Sequence, residues 1–224
     1  MAGPIDRGKI VSFQRAVILA VVIVLIRLII LYSIQDREML LLIDDIIFAI
    51  GSGLAAIGLL YGALNSVGQS RKAWIVMTIA QVAYAFGDAS WTVIEAGLHQ
   101  NPFPSLADFW YLAFYPIFAL GIFLLPTEPL TSRERIKFLL DAGIVVAASV
   151  FLFWVFRIAP IIASNGAVDL GLVVSVAYPV MDLVVFAALM ELIFRKLSFT
   201  GSKPPFLLAF GLVIALIADV IFSI

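Results

Sequence analysis

The chain has 224 residues, 63% of them hydrophobic and only 13% charged, which is more apolar surface than a soluble domain of this length can bury. Composition alone therefore indicates an integral membrane protein. A net charge of −1, with basic residues scattered among short segments, gives no signal for a nucleic-acid partner, and the lack of cysteine excludes disulfides, thiolate metal sites and cysteine nucleophiles.

Residues 1–15 form a short lead containing Arg7, Lys9 and Arg15, and the apolar run 16–34 follows with Arg27 inside it. That run is long enough to span a bilayer and no small-residue cleavage site follows it, so a retained first helix is expected rather than a removed signal. Arg27 lies close to mid-helix and needs a partner there. Further spans are expected at 40–64, 73–95, 109–126, 138–162, 170–194 and 205–224, each near the roughly 20 residues that a bilayer requires. The predicted fold is an all-α polytopic transmembrane bundle of seven spans, with 1–224 as a single domain.

The loops set an orientation. Arg7, Lys9 and Arg15 precede the first span; Arg71 and Lys72 lie between the second and third; Arg133, Arg135 and Lys137 between the fourth and fifth; and Arg195, Lys196 and Lys203 between the sixth and seventh. The alternate loops hold only Arg37. By the positive-inside rule the N-terminus is cytoplasmic, in the cell membrane, and His99 with the Asn-Pro-Phe-Pro turn at 101–104 faces outward.

Polarity is concentrated around 86–125, where two apolar runs meet through that Pro-rich turn. Asp88, Trp91 and Glu95 fall at i, i+3 and i+7, and beyond the turn Asp108, Tyr111 and Tyr115 repeat the spacing, so each helix presents one polar face. A carboxylate in hydrocarbon costs about 2.5–3.5 kcal/mol on insertion scales, so Asp88 is expected to face protein or water. Ser105 with Asp108 fits a capping box, which makes Asp108 a helix-start device. Downstream, Arg157 lies in the outer third of the fifth span, Ser175, Tyr178 and Asp182 share a face of the sixth, and Asp219 lies in the outer half of the seventh. Arg157 is expected to be held by Asp88 or Asp219. Pro116 and Pro179, each after a tyrosine, are expected to kink their helices and act as hinges. The candidate ligand site is thus Asp88, Trp91, Tyr115, Arg157, Tyr178, Asp182 and Asp219, opening outward.

Several chemistries fail on residue counts. One histidine cannot supply the two axial ligands of a b-type haem, and every lysine sits at a predicted cytoplasmic boundary, away from where a retinal Schiff base would form. No phosphate-binding glycine loop, histidine-rich metal cluster or serine elbow is present. The sequence identifies no catalytic residue, metal ligand or cofactor.

The segments Gly-Asp-x-x-Trp (Gly87, Asp88, Trp91), Pro-Ser-x-Ala-Asp-Phe-x-Tyr (Pro104, Ser105, Ala107, Asp108, Tyr111) and Leu-Ala-Phe-Tyr-Pro (ending Tyr115, Pro116), followed by Ala177–Leu183 and Ile217–Asp219, cover most of the chain from about Trp74 onward. Together they resemble the multi-helix membrane sensory region found in front of PAS, GGDEF diguanylate cyclase and histidine kinase modules in bacteria and archaea. The resemblance implies a sensory input module that relays a signal to a cytoplasmic output module not contained in these residues, and it implies an eighth helix after the seventh. Residues 217–223 also look like 86–91, and a four-helix displacement preserves orientation, as a parallel duplication requires. A four-plus-four repeat is therefore expected, with 1–126 the first repeat and 127–224 an incomplete second. Expected partners are the lipid bilayer and a small molecule or lipid of unknown identity, with a homodimer compatible and no nucleic acid. The alternatives are a small proton- or ion-coupled transporter and a structural subunit of a membrane complex.

Overall fold

The computed structural model describes residues 13–127, 131–164, 169–194 and 208–214, and the described residues are helical with no strand among them. In chain order the helices are α1 (Phe13–Ser33), α2 (Arg37–Leu64), α3 (Gly68–Thr92), α4 (Leu106–Phe123), α5 (Ser132–Phe153), α6 (Ala159–Ser164) and α7 (Leu170–Phe194). Single π-helical turns extend α3 over Val93–Gly97 and join α5 to α6 over Trp154–Ile158. Residues 208–214 are also helical, and the remainder of the expected seventh span lies outside the described residues.

Among the described residues four helical segments, Arg37–Leu64, Leu106–Phe123, Gly143–Ala163 and Leu170–Ile193, are long and apolar enough to cross a membrane. Large apolar side chains such as Ile57, Phe109, Phe151 and Phe156 stand exposed along these segments, the pattern expected where the surrounding solvent is lipid. Of the long helices α3 is the least apolar, because it carries Arg71, Lys72, Gln81 and Asp88.

Several helices begin before the apolar runs that announce them. The second, third, fourth and fifth were expected from residues 40, 73, 109 and 138 and start at Arg37, Gly68, Leu106 and Ser132. Hydropathy marks where a helix meets lipid, whereas caps mark where its hydrogen bonding begins. Asp36 Oδ1 accepts from the Glu38 and Met39 N–H groups at 3.0 and 3.3 Å to open α2. Thr131 and Glu134 form a reciprocal capping box for α5, with the Thr131 N–H donating to Glu134 at 3.0 Å and the Glu134 N–H donating to Thr131 Oγ1 at 3.3 Å. The signature Thr-x-x-Glu stands in the sequence, and it places the start of α5 where hydropathy does not.

The chain divides into two compact units, Met1–Phe48 and Ala49–Ile224, with the boundary inside α2. In the first, Arg27 of α1 makes a bidentate ion pair with Asp44 of α2, at 2.8 Å from Nε and 3.1 Å from Nη2, and its guanidinium lies 4.3 Å from the centre of the Phe48 ring. The mid-helix arginine thus has the partner that its position in an apolar run demands.

In the second unit α3 and α4 form an antiparallel hairpin. Its register is fixed by close approaches at both ends: a Cβ at Gly87 would fall 2.6 Å from the Tyr111 ring, and one at Gly121 would meet the Met77 backbone nitrogen at 3.1 Å and the Ala73 carbonyl at 3.3 Å. Helix α7 packs on α4, and α5 on α7. The core holds Ala73, Met77 and Ala80 of α3, Phe118, Ala119 and Ile122 of α4, and Val185, Ala188 and Leu189 of α7. This apolar half occupies one end of the three helices. The buried aspartates Asp88, Asp108 and Asp182 lie toward the other, while Thr78 and Glu191 are buried within the apolar half.

Candidate functional site

The polar end is built by two aspartate–tyrosine pairs. Asp88 follows Gly87 on α3, and the missing side chain at Gly87 lets the Tyr111 ring of α4 lie flat enough on α3 for its hydroxyl to donate to Asp88 Oδ1 at 2.8 Å. Tyr84, one turn before Asp88, packs edge-on to both Tyr111 and Phe114, with ring centres 5.0 and 5.1 Å away. Asp88 is 7% exposed, and no hydrogen bond reaches its Oδ2 among the described residues. The buried Ser52 of α2 lies beside this carboxylate, with its hydroxyl donating to the Ala49 carbonyl at 3.1 Å.

The second pair sits at the start of α4. Asp108 Oδ2 accepts from the Ser105 N–H at 2.7 Å, and Ser105 Oγ accepts from the Ala107 N–H at 3.1 Å, completing the cap. The other Asp108 oxygen accepts the Tyr178 hydroxyl of α7 at 2.7 Å. Asp108 is 2% exposed. The residue read only as a helix-start device therefore also ties α4 to α7 across 70 residues of sequence. Tyr115 is buried one helical stretch further along α4, its ring centre 6.4 Å from that of Tyr178. Asp182, one turn beyond Tyr178, is buried. Asp169 opens α7 by accepting from the Leu172 N–H at 2.8 Å.

Of the seven residues predicted as a ligand site, Asp88, Tyr115, Tyr178 and Asp182 thus gather at the polar end of α3, α4 and α7. Trp91 instead donates from its indole N–H to Glu95 on its own helix. The Arg157 side chain and Asp219 lie outside the described residues, so an Arg157 pair with either aspartate does too; Asp88 Oδ1 is taken by Tyr111. Pro116 and Pro179 both lie within helices that continue past them, Pro116 exposed on α4 and Pro179 buried on α7. Each lacks the N–H that would meet the carbonyl four residues back, those of Leu112 and Ser175.

Sequence reasoning left Tyr111 and Ser52 off the site. Tyr111 repeats the face of Asp108 and lies at nearly the depth of Asp88 once the hairpin register is set, so a depth comparison across the turn would have found it. Ser52 has no such signal, because a lone serine in a glycine- and alanine-rich helix reads as packing. The site presents acceptor oxygens and tyrosine hydroxyls in a buried setting, suited to a hydrogen-bond donor or a small cation. Among the described residues no cluster of three or more histidine, aspartate or glutamate side chains is placed to hold a metal ion.

Comparison with protein-family models, with curated proteins and with solved structures finds no match.

Proposed function

We propose that the chain is a membrane-embedded sensory input module, in which the polar network of α3, α4 and α7 receives a small molecule or lipid and passes the response along α4 and α7. The observation that carries this reading is the Tyr111–Asp88 and Tyr178–Asp108 pair of hydrogen bonds, which links three helices of distant sequence at one end of the unit. A ligand that competes for those acceptors changes how the helices are held, and it shifts them by as much as it prefers one arrangement, typically about 1–3 kcal/mol. Seven spans with a cytoplasmic N-terminus in the cell membrane, an eighth completing a four-plus-four repeat, and a cytoplasmic output module belong to this reading. The proline positions within α4 and α7 are its proposed hinges.

The test uses single cysteines in a background that has none. Spin labels at Phe123→Cys and Ile193→Cys, at the apolar ends of α4 and α7, report their separation in nanodiscs while a panel of amines, carboxylates and lipids is screened by thermal shift. A compound that stabilises wild type but not Asp88→Asn, and that changes the distance, is the expected result. A panel in which every stabilising compound leaves the distance unchanged overturns it. Orientation is checked separately: an impermeant thiol reagent on intact cells is expected to label Ser105→Cys and spare Ser70→Cys. The buried Asp182 within one turn of Pro179 favours a second reading, an ion-coupled transporter, for which solute accumulation in sealed proteoliposomes is the deciding measurement.

A further inference from the structure

The end of the second unit at which α3 starts is also the end at which α5 starts. Helix α6, which continues α5 through the π-helical turn, packs on α7 and leads into its first residue through a short connection, so α5 and α7 run in opposite directions. The last turns of α7, with Leu189 and Leu192, belong to the apolar core beside Ala73 and Ile122. Arg71, Lys72, Arg133 and Lys137 are therefore on one side of the bundle, all exposed and none in an ion pair among the described residues. The described carboxylates on that side are withdrawn. Glu191 is buried, Asp141 is half-buried, and Glu134 is held at the cap of α5, where the Thr131 N–H and hydroxyl donate to it at 3.0 and 2.7 Å. What the described residues of this side offer outward is positive charge.

On α5 that charge is joined to an apolar surface. The segment long and apolar enough to cross a membrane starts at Gly143, whereas the helix starts at Ser132. About three turns, or roughly 16 Å, precede the hydrocarbon, and they carry Arg133 and Lys137 one turn apart. With about 3.6 residues per turn these two share a face with Leu140, Ile144 and Phe151, all exposed, while Asp141, Val145 and Ser149 form the half-buried opposite face. Leu140 to Phe151 rises about 16 Å, the depth of one leaflet in a hydrocarbon core of roughly 30 Å. A Cβ at Gly143 would meet nothing within 4 Å, so the backbone is bare beside Leu140 and Ile144. Cationic at the headgroup level and apolar for one leaflet below it, the face has the two-part chemistry that complements an anionic phospholipid.

We infer that this face of α5 is a seat for an anionic phospholipid of the surrounding leaflet. The Arg133 guanidinium and the Lys137 ammonium hold its phosphate, and one acyl chain lies along Leu140, Ile144 and Phe151. Arginine meets a phosphate through two parallel N–H donors, and lysine adds a point charge. Each cation beside a membrane favours anionic lipid by about fivefold, so the pair makes a preference large enough to measure. The assignment does not rest on the sensory reading, because it concerns a lipid-facing surface away from the Asp88 and Asp108 pairs.

The test uses the full chain with a single cysteine, Ala148→Cys, exposed beside this face and labelled with bimane. In nanodiscs a small fraction of the lipid is brominated phosphatidylglycerol or, in parallel, brominated phosphatidylcholine, and quenching reports which lipid lies against α5. The labelled parent is expected to prefer phosphatidylglycerol by about tenfold, and Arg133→Gln with Lys137→Gln to show about no preference. Arg71→Gln with Lys72→Gln removes equal charge from the same side and is expected to leave the preference within about twofold. All four residues are exposed and none belongs to the capping box of α5, so the variants keep the helix starts intact. A labelled parent without preference overturns the seat. So does an equal fall in both double variants, which would mean attraction by the general charge of that surface.

Discussion

At the end of α3, α4 and α7 that carries Asp88, Tyr111 and Tyr178, hydrogen bonds cross between helices; at the end that carries Met77, Ile122 and Leu189, alanines and a glycine let the backbones close on one another. In a bilayer the difference has a physical basis. Lipid tails are as apolar as leucine, so burying leucine between helices gains little over leaving it in lipid, and close backbone packing and interhelical hydrogen bonds do the joining. The apolar end supplies contact through Ala73, Ala80, Ala119, Gly121 and Ala188, and the polar end supplies directionality through two acceptors that each fit one tyrosine. The first holds the helices together; the second makes one arrangement of them preferable.

The largest effect is expected from breaking the apolar end. Gly121→Val places its new atoms against the backbone of α3 at Met77 and Ala73, which no rotamer change relieves. A loss of about 3 kcal/mol follows, measured by equilibrium unfolding in mixed micelles. At the polar end Gly87→Ala meets only the Tyr111 ring, which turns away and releases Asp88. The expected cost is about 2 kcal/mol, together with loss of any coupling between Tyr111→Phe and Asp88→Asn in a double-mutant cycle. If Gly121→Val proves the milder of the two, the apolar end is more compliant than its close contacts indicate.

How much of this was legible in the sequence divides along the same line. Apolar runs revealed the membrane class and the approximate places of the helices, since a bilayer imposes length and hydropathy on anything that crosses it. The cap at Ser105 and Asp108 was equally legible, because it is local. That Asp88, Tyr115 and Asp182 are buried and Tyr178 half-buried is in keeping with their shared polar faces, but their partners could not be read from them. Which hydroxyl meets which carboxylate depends on the register of the α3–α4 hairpin and on the approach of α7, both set by glycine and alanine contacts that hydropathy does not register. Asp108 shows the limit most clearly: its local role concealed a bond to a residue 70 positions away.

A smaller effect separates the two roles of Asp108. Tyr178→Phe removes the interhelical bond and leaves the cap, whereas Asp108→Asn perturbs both. In a double-mutant cycle of these substitutions the coupling is expected to be about 1 kcal/mol, in the upper part of the range for hydrogen bonds between membrane helices. Helix content should be unchanged in Tyr178→Phe, because the Ser105 and Ala107 N–H groups keep their acceptors. A coupling near zero would mean that the cap alone explains the burial of Asp108, and that the polar end contributes no preference among arrangements of α4 and α7.

The smallest expected effect is at the connection between α3 and α4, at the polar end of the hairpin. His99 follows the π-helical turn with φ of 52°, in the left-handed region, and beyond it the Gln100 N–H donates to the Ile94 carbonyl at 3.1 Å. A side chain at this conformation is disfavoured, and glycine removes the steric conflict at the price of greater freedom in the unfolded chain. His99→Gly is therefore expected to stabilise by about 0.5 kcal/mol, read as a higher midpoint of unfolding. If the register of the hairpin is fixed by Gly87 and Gly121 rather than by its turn, this substitution leaves the Tyr111–Asp88 coupling unchanged. A change in that coupling would place control of the polar end in the connection itself.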